Sequence, residues 1–136
     1  MTNSTAEYVL VIEDLAFMRR MLTGVVRGFG YEVQEAGNGT EGIRMMKKDP
    51  PALVILDLMM PDLSGAEVCQ WMRANEATED IPVLVCTGQQ NRRDLLEAHR
   101  AGATDFIIKP IDRRDLKQRL DKLLPIPEDP LPQPQP

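Results

Sequence analysis

An α/β fold built on an open parallel sheet is predicted by three features of this 136-residue chain. Short β-branched runs alternate with stretches of helical period, the pattern of consecutive βαβ units. The runs at 8–12, 53–56 and 81–86 are too apolar for strands with a wet face, so they belong in a sheet covered on both sides. Four apolar runs each end in a polar residue suited to phosphate or metal chemistry: 9–12 in Glu13-Asp14, 53–56 in Asp57, 83–86 in Thr87 and 106–108 in Lys109. In an open parallel sheet the ligand site lies just beyond the carboxyl ends of the strands. Three carboxylates, a hydroxyl and an ammonium are therefore expected to share one cleft.

Taken in order, the strands are expected at residues 8–12, 31–35, 53–56, 81–86 and 105–108. Met18, Leu22, Val25 and Phe29 recur at helical spacing after the first, Val68, Trp71 and Met72 after the third, and Leu116, Leu120, Leu123 and Leu124 after the fifth. These stripes are read as core-facing. Gly28 and Gly30 close the first helix, Pro50-Pro51 the second and Gly102 the fourth, while Asp112 is placed to cap the last. Residues 1–6 are expected to be disordered, residues 7–124 to form the domain, and the proline-rich residues 125–136 to be an extended tail or linker stub.

Composition excludes several classes. Hydrophobic residues at 43% and charged residues at 27% describe an ordinary globular domain. A net charge of −5 argues against nucleic-acid binding through this domain's own surface. No apolar run is long enough to span a bilayer, and the polar N-terminus has no secretory core segment, so no membrane association and a cytoplasmic location are expected. Cys69 falls in a helical pattern and Cys86 in an apolar run, so a disulfide framework is not expected.

Crowded carboxylates repel one another unless a cation sits among them, so Glu13, Asp14 and Asp57 imply a metal. An all-oxygen set that must stay open to a phosphoryl group suits Mg²⁺, with Mn²⁺ as the alternative. With Lys109 and Thr87 added, the parts are those of phosphoryl transfer to an aspartate, and Asp57 is the natural nucleophile because it ends the most apolar run.

The pattern Val-Leu-Val-Ile-Glu13-Asp14, then Met18-Arg19-Arg20, then Asp57-Leu-Met-Met-Pro61-Asp62-Leu-Ser-Gly65, then Thr87-Gly88, then Phe106-Ile-Ile-Lys109-Pro110 resembles the receiver domain of two-component response regulators, in chemotaxis-regulator-like form. The resemblance covers roughly residues 7–124. It implies a flavodoxin-like (βα)5 fold with strand order 2-1-3-4-5. It implies that Asp57 is phosphorylated by a phosphohistidine of a sensor histidine kinase or histidine phosphotransfer protein, and that the domain catalyses only its own phosphorylation and dephosphorylation. Mg²⁺ would be held by Asp14, Asp57 and the backbone carbonyl of Met59, with Glu13 acting through water. Thr87 and Lys109 would contact phosphoryl oxygens. Phe106 would turn inward as Thr87 moves, and the signal would pass through the face of the fourth helix, fifth strand and fifth helix to an output domain or downstream protein. The Lys109–Pro110 bond would be cis. The first helix, with Arg19 and Arg20 exposed, would dock the phosphodonor.

Three departures from the commonest family pattern carry consequences. Glu13 stands where aspartate is more frequent, which lengthens the reach to the ion. Phe106 lacks a hydroxyl, so switching must work by packing. Met59 puts a bulky apolar group along the approach of hydrolytic water, which predicts slow dephosphorylation.

Two other classes compete. Gly37-Asn-Gly39-Thr-Glu-Gly42 matches the dinucleotide fingerprint of a Rossmann-type nucleotide-binding domain, with Asp57 at about the ribose-binding spacing. A plainer reading makes Asn38-Gly39 the turn into a short helix stopped by Pro50, with Gly42 allowing close packing. The second competitor is a receiver used only for protein docking, without phosphorylation. Plain roles also exist for single residues: Glu13-Asp14 as caps of the helix beginning near Ala16, His99 as a solvent-facing helix residue, Trp71 as packing, and the eight methionines as core filling.

Overall fold

The computed structural model describes residues 7–88 and 92–124. The expectations for residues 1–6 and 125–136 fall outside the described residues. The chain alternates β1 (Tyr8–Ile12), α1 (Ala16–Gly28), β2 (Glu32–Ala36), α2 (Gly39–Lys48), β3 (Leu53–Asp57), α3 (Gly65–Arg73), β4 (Val83–Thr87), α4 (Arg92–Ala101), β5 (Asp105–Ile108) and α5 (Arg113–Leu123). All pairings are parallel and the strand order is β2-β1-β3-β4-β5. This is the doubly wound, flavodoxin-like sheet expected from the sequence, with β3 at its centre.

Every residue of β1, β3 and β4 is buried, as their unbroken apolar runs require. The two faces of the sheet form separate cores. Leu10, Ile12, Val54, Leu56, Val83 and Val85 pack toward Met46, Val68 and Met72. Val9, Val11, Leu53, Ile55, Leu84, Cys86 and Ile107 pack toward Leu22, Val26, Leu116 and Leu120 of α1 and α5.

Two strands are displaced from their expected positions. β2 starts one residue late because Tyr31 still belongs to the turn out of α1, its amide donating to Val26 O. β4 starts at Val83: the Pro82 carbonyl already accepts from the Val54 amide of β3 at 3.1 Å, but proline has no amide to donate, and the paired register begins at Val83. Local chemistry sets most helix starts: Asn38 Oδ1 accepts from the Glu41 amide, Ser64 and Glu67 form a reciprocal capping box, and Asp112 accepts from the Arg114 amide. Trp71 packs half-buried against the core. The methionines divide: Met46 and Met72 are core, but Met21 and Met59 are exposed, because α1 and the β3–α3 loop turn those positions outward.

Candidate active site at the strand ends

Strand parity explains why the site's charges meet. Ile55 and Cys86 face α1 and α5, as do Val11 and Ile107. Glu13, Asp57 and Lys109 lie two residues beyond Val11, Ile55 and Ile107, so they continue toward the same side at the carboxyl edge. There Lys109 Nζ donates to Asp57 Oδ1 and to Glu13 Oε1, at 3.3 Å each. One carboxylate oxygen from each of Glu13, Asp14 and Asp57 lies within 4.8 Å of the others, a group that could hold a metal ion. Lys109 itself is fixed by its amide, which donates to Thr87 O at 2.8 Å, and the Lys109–Pro110 bond is cis.

The carboxylates pay for this placement in solvation. Glu13 is 1% exposed and Asp57 7%. Burial pushes the Asp57 carboxyl up; Lys109 and the Met59 amide pull it back without cancelling the rise, and Asp14 adds to it. Burial and the charge of Asp57 raise Glu13 as well, against the Leu15 amide and Lys109. Burial alone would lower Lys109, but Asp57 and Glu13 outweigh it and hold the ammonium above its ordinary value. One ammonium among three carboxylates leaves excess negative charge facing the opening, which favours a cation.

Thr87 and Phe106 lie on the other parity. Val85 pairs with Phe106 and Thr87 with Ile108, and Val85 and Phe106 both pack on the side of α3 and α4. Thr87 is buried, its hydroxyl donating to Gly88 O at 3.1 Å. Phe106 is half-buried, its ring centroid 6.3 Å from that of His99. The Met59 amide donates to Asp57 Oδ1 at 3.4 Å, and its side chain is 58% exposed. Together with Asp14 and Pro61, Met59 lines a hollow of about 380 Å³ beside the carboxylates.

Two expectations change. Arg19 is not exposed as expected: its guanidinium is drawn inward, donating from Nη1 to Glu13 O at 2.8 Å and from Nε to Glu35 Oε1 at 3.2 Å. It braces the backbone of the carboxylate turn against β2. Nor does Glu13-Asp14 cap α1 in the usual way. The N-cap is Leu15, without a side-chain cap, and Glu13 Oε2 accepts from the Leu15 amide itself.

The model of the response regulator receiver domain family matches residues 9–121. The chain belongs to that family. This receiver is 34% identical over 116 residues to chemotaxis protein CheY-3 of Vibrio cholerae, covering 85% of this chain and 89% of that protein. It is 34% identical over 112 residues to the DNA-binding response regulator MtrA of Mycobacterium leprae, covering 82% of this chain and 48% of MtrA. The structure of the chemotaxis protein CheY4 of Vibrio cholerae superposes with a TM-score of 0.81 at 27% identity, covering 89% of this chain and all of the other. The chain spans about half the length of several curated relatives it matches, MtrA included.

Membership in a signalling family of this fold also disposes of the dinucleotide reading. Gly42 packs on β1, where an added Cβ would run into Ile12 Cδ1 and lie 3.0 Å from Ile12 Cγ1. The amides of Gly39 and Thr40, which a pyrophosphate would need, already bond to the carboxylate of Asp62. None of the described helices is long and apolar enough to cross a membrane.

Proposed function

We propose that this receiver accepts a phosphoryl group on Asp57 from a phosphohistidine of a sensor histidine kinase or a histidine phosphotransfer protein. A bond forms between an Asp57 carboxylate oxygen and phosphorus as the donor's P–N bond breaks; the imidazole leaves with the electron pair and takes up a proton. The observation that carries this reading is the bridge of Lys109 to both Asp57 and Glu13, with Asp14 completing a carboxylate group at the mouth of the central strand. Lys109 and the Thr87 hydroxyl supply donors for phosphoryl oxygens.

The donor set is all oxygen, partly buried and open on one side, which fits a hard cation that keeps some of its water. Asp14, Asp57 and the carbonyl of Met59 would hold Mg²⁺, or Mn²⁺ in its place, with Glu13 acting through water; the ion supplies neutralising charge to the transferring group. Charge added at Asp57 would then be felt by Thr87 and Phe106 and read on the α4–β5–α5 face by an output domain or downstream protein. Because Phe106 has no hydroxyl, that response works through packing. The donor would dock on α1, where Phe17, Met21 and Arg20 are exposed.

Intact mass after treatment with acetyl phosphate, with and without Mg²⁺, tests the reading. A Mg²⁺-dependent phosphoryl adduct is expected, and it should vanish in Asp57→Asn. Absence of the adduct in the wild-type chain would favour the receiver that docks partners without phosphorylation. Met59→Asn is expected to shorten the lifetime of the adduct, and an unchanged lifetime would remove Met59 from the path of the hydrolytic water.

A further inference from the structure

The loop between β3 and α3 carries Met59, and it is closed at its base: the Gly65 amide donates to Leu58 O at 2.9 Å, and the Leu58 amide donates to Cys86 O at 3.1 Å. Its far side reaches across to the start of α2. There Asp62 accepts from three amides, those of Leu63 at 2.7 Å and Gly39 at 3.2 Å through Oδ1 and that of Thr40 at 3.0 Å through Oδ2. The Thr40 hydroxyl adds a further bond, and this donor set holds the Asp62 carboxyl well below the usual range. The contact is close. A Cβ on Gly39 would lie 2.8 Å from Leu63 Cβ and 3.0 Å from Val68 Cγ2. The glycine-rich turn thus does receive an anion at the N-terminus of α2, but the anion is a carboxylate from the chain's own loop.

α2 already has a cap of its own in Asn38, which accepts from the Glu41 amide at 2.8 Å. Asp62 therefore contributes something a local cap does not: it ties two segments 22 and 23 residues apart. With the base of the loop closed and its tip seated on α2, the intervening Met59 and Met60 are held at both ends. We propose that Asp62 is a positioning residue for the cation site, acting by latching the β3–α3 loop to α2 and so fixing the Met59 carbonyl at the mouth of the carboxylate cluster. This rests on the reading that the Met59 carbonyl takes part in cation binding. Asp62 touches neither the cation nor Asp57 and works only through the loop.

The test compares Asp62→Ala with Asn38→Ala in the full chain, using amide chemical shifts during a Mg²⁺ titration together with thermal melting. Asn38→Ala removes a cap from the same helix end and leaves the loop alone. Asp62→Ala is expected to move the Met59 amide resonance before any Mg²⁺ is added and to weaken Mg²⁺ binding roughly 10-fold, the lower end of the cost of losing a partner that orients a metal ligand. Asn38→Ala should lower the melting temperature while leaving Mg²⁺ affinity unchanged. Wild-type affinity in Asp62→Ala, or an equal loss in Asn38→Ala, would overturn the latch and reduce Asp62 to a structural cap. A wild-type chain that does not bind Mg²⁺ would overturn the cation-site reading itself, and the latch with it.

Discussion

The two faces of the sheet are built to different standards at its carboxyl edge. On the α1 and α5 side, Glu13, Asp57 and Lys109 project from strand ends whose preceding residues Val11, Ile55 and Ile107 are all buried. On the opposite side, Thr87 and Phe106 point toward α4, a helix that buries only Ala98 among its residues and leaves Leu96 exposed. β5, which carries Phe106, is itself half open, with Ile108 49% exposed. Chemistry that needs charges at fixed separations rests on the tightly packed side. The residues expected to move rest where little apolar contact must be broken, the usual source of low-energy local motion.

The largest expected effect breaks the rigid side. Ile55 is 1% exposed, lies in the central strand and stands two residues before Asp57. Ile55→Ala should cost about 2–5 kcal/mol in urea unfolding, through lost burial and a cavity the sheet cannot collapse. Because Asp57 depends on that strand for its position, the variant that remains folded should also transfer phosphate more slowly. A loss below about 1 kcal/mol would mean that β3 can repack and that the rigid side is less rigid than its burial indicates.

Legibility in the sequence follows the same division. β1, β3 and β4, with Glu13, Asp57 and Thr87 at their ends, could be read because strands buried on both faces leave continuous apolar runs. α2 and α4 could be placed only by their punctuation, since a helix that buries little has a faint apolar stripe. The role of Asp62 was out of reach: an exposed carboxylate after a proline looks like any turn residue until α2 arrives beside it. Arg19 misled for a related reason, because its partners, Glu13 O and Glu35, come from the loop after β1 and from β2. Thr87 and Phe106 were found as residues, but the parity that separates them from the charged group needed the register of β4 and β5.

A smaller effect sharpens the comparison through pH. A carboxyl whose folded pKa stands above its unfolded value contributes stability below the unfolded pKa and loses that stability as pH climbs through the folded one. Asp57 and Glu13 are both raised, chiefly by burial. The metal-free receiver should therefore lose stability from these groups as pH rises from about 4 toward neutrality, the side of the titration where both become charged. Mg²⁺ compensates that charge, so at one fixed Mg²⁺ concentration its stabilisation should be larger at pH 8 than at pH 5, about 2.7 kcal/mol where that concentration is 100-fold above Kd. Thermal melts at the two pH values, with and without Mg²⁺, measure this. An equal gain at both would show that the carboxylates are already neutralised within the protein.

The smallest expected effect belongs to the open side. Leu96 lines, with Leu95, His99, Phe106 and Ile108, a groove of about 710 Å³ between α4 and β5. A leucine in a core would cost several kcal/mol on truncation, but this one is already 48% exposed. Leu96→Ala should change unfolding stability by no more than about 0.5 kcal/mol. Amide hydrogen exchange should then separate the two sides directly, with α4 exchanging through local opening and β3 only through global unfolding. If Leu96→Ala instead costs as much as Ile55→Ala, or if α4 is protected as strongly as β3, α4 is part of the rigid frame. The response of Thr87 and Phe106 would then have to displace a well-anchored helix, and a phosphoryl group's charge at Asp57 would have far more packing to overcome before any partner could sense it.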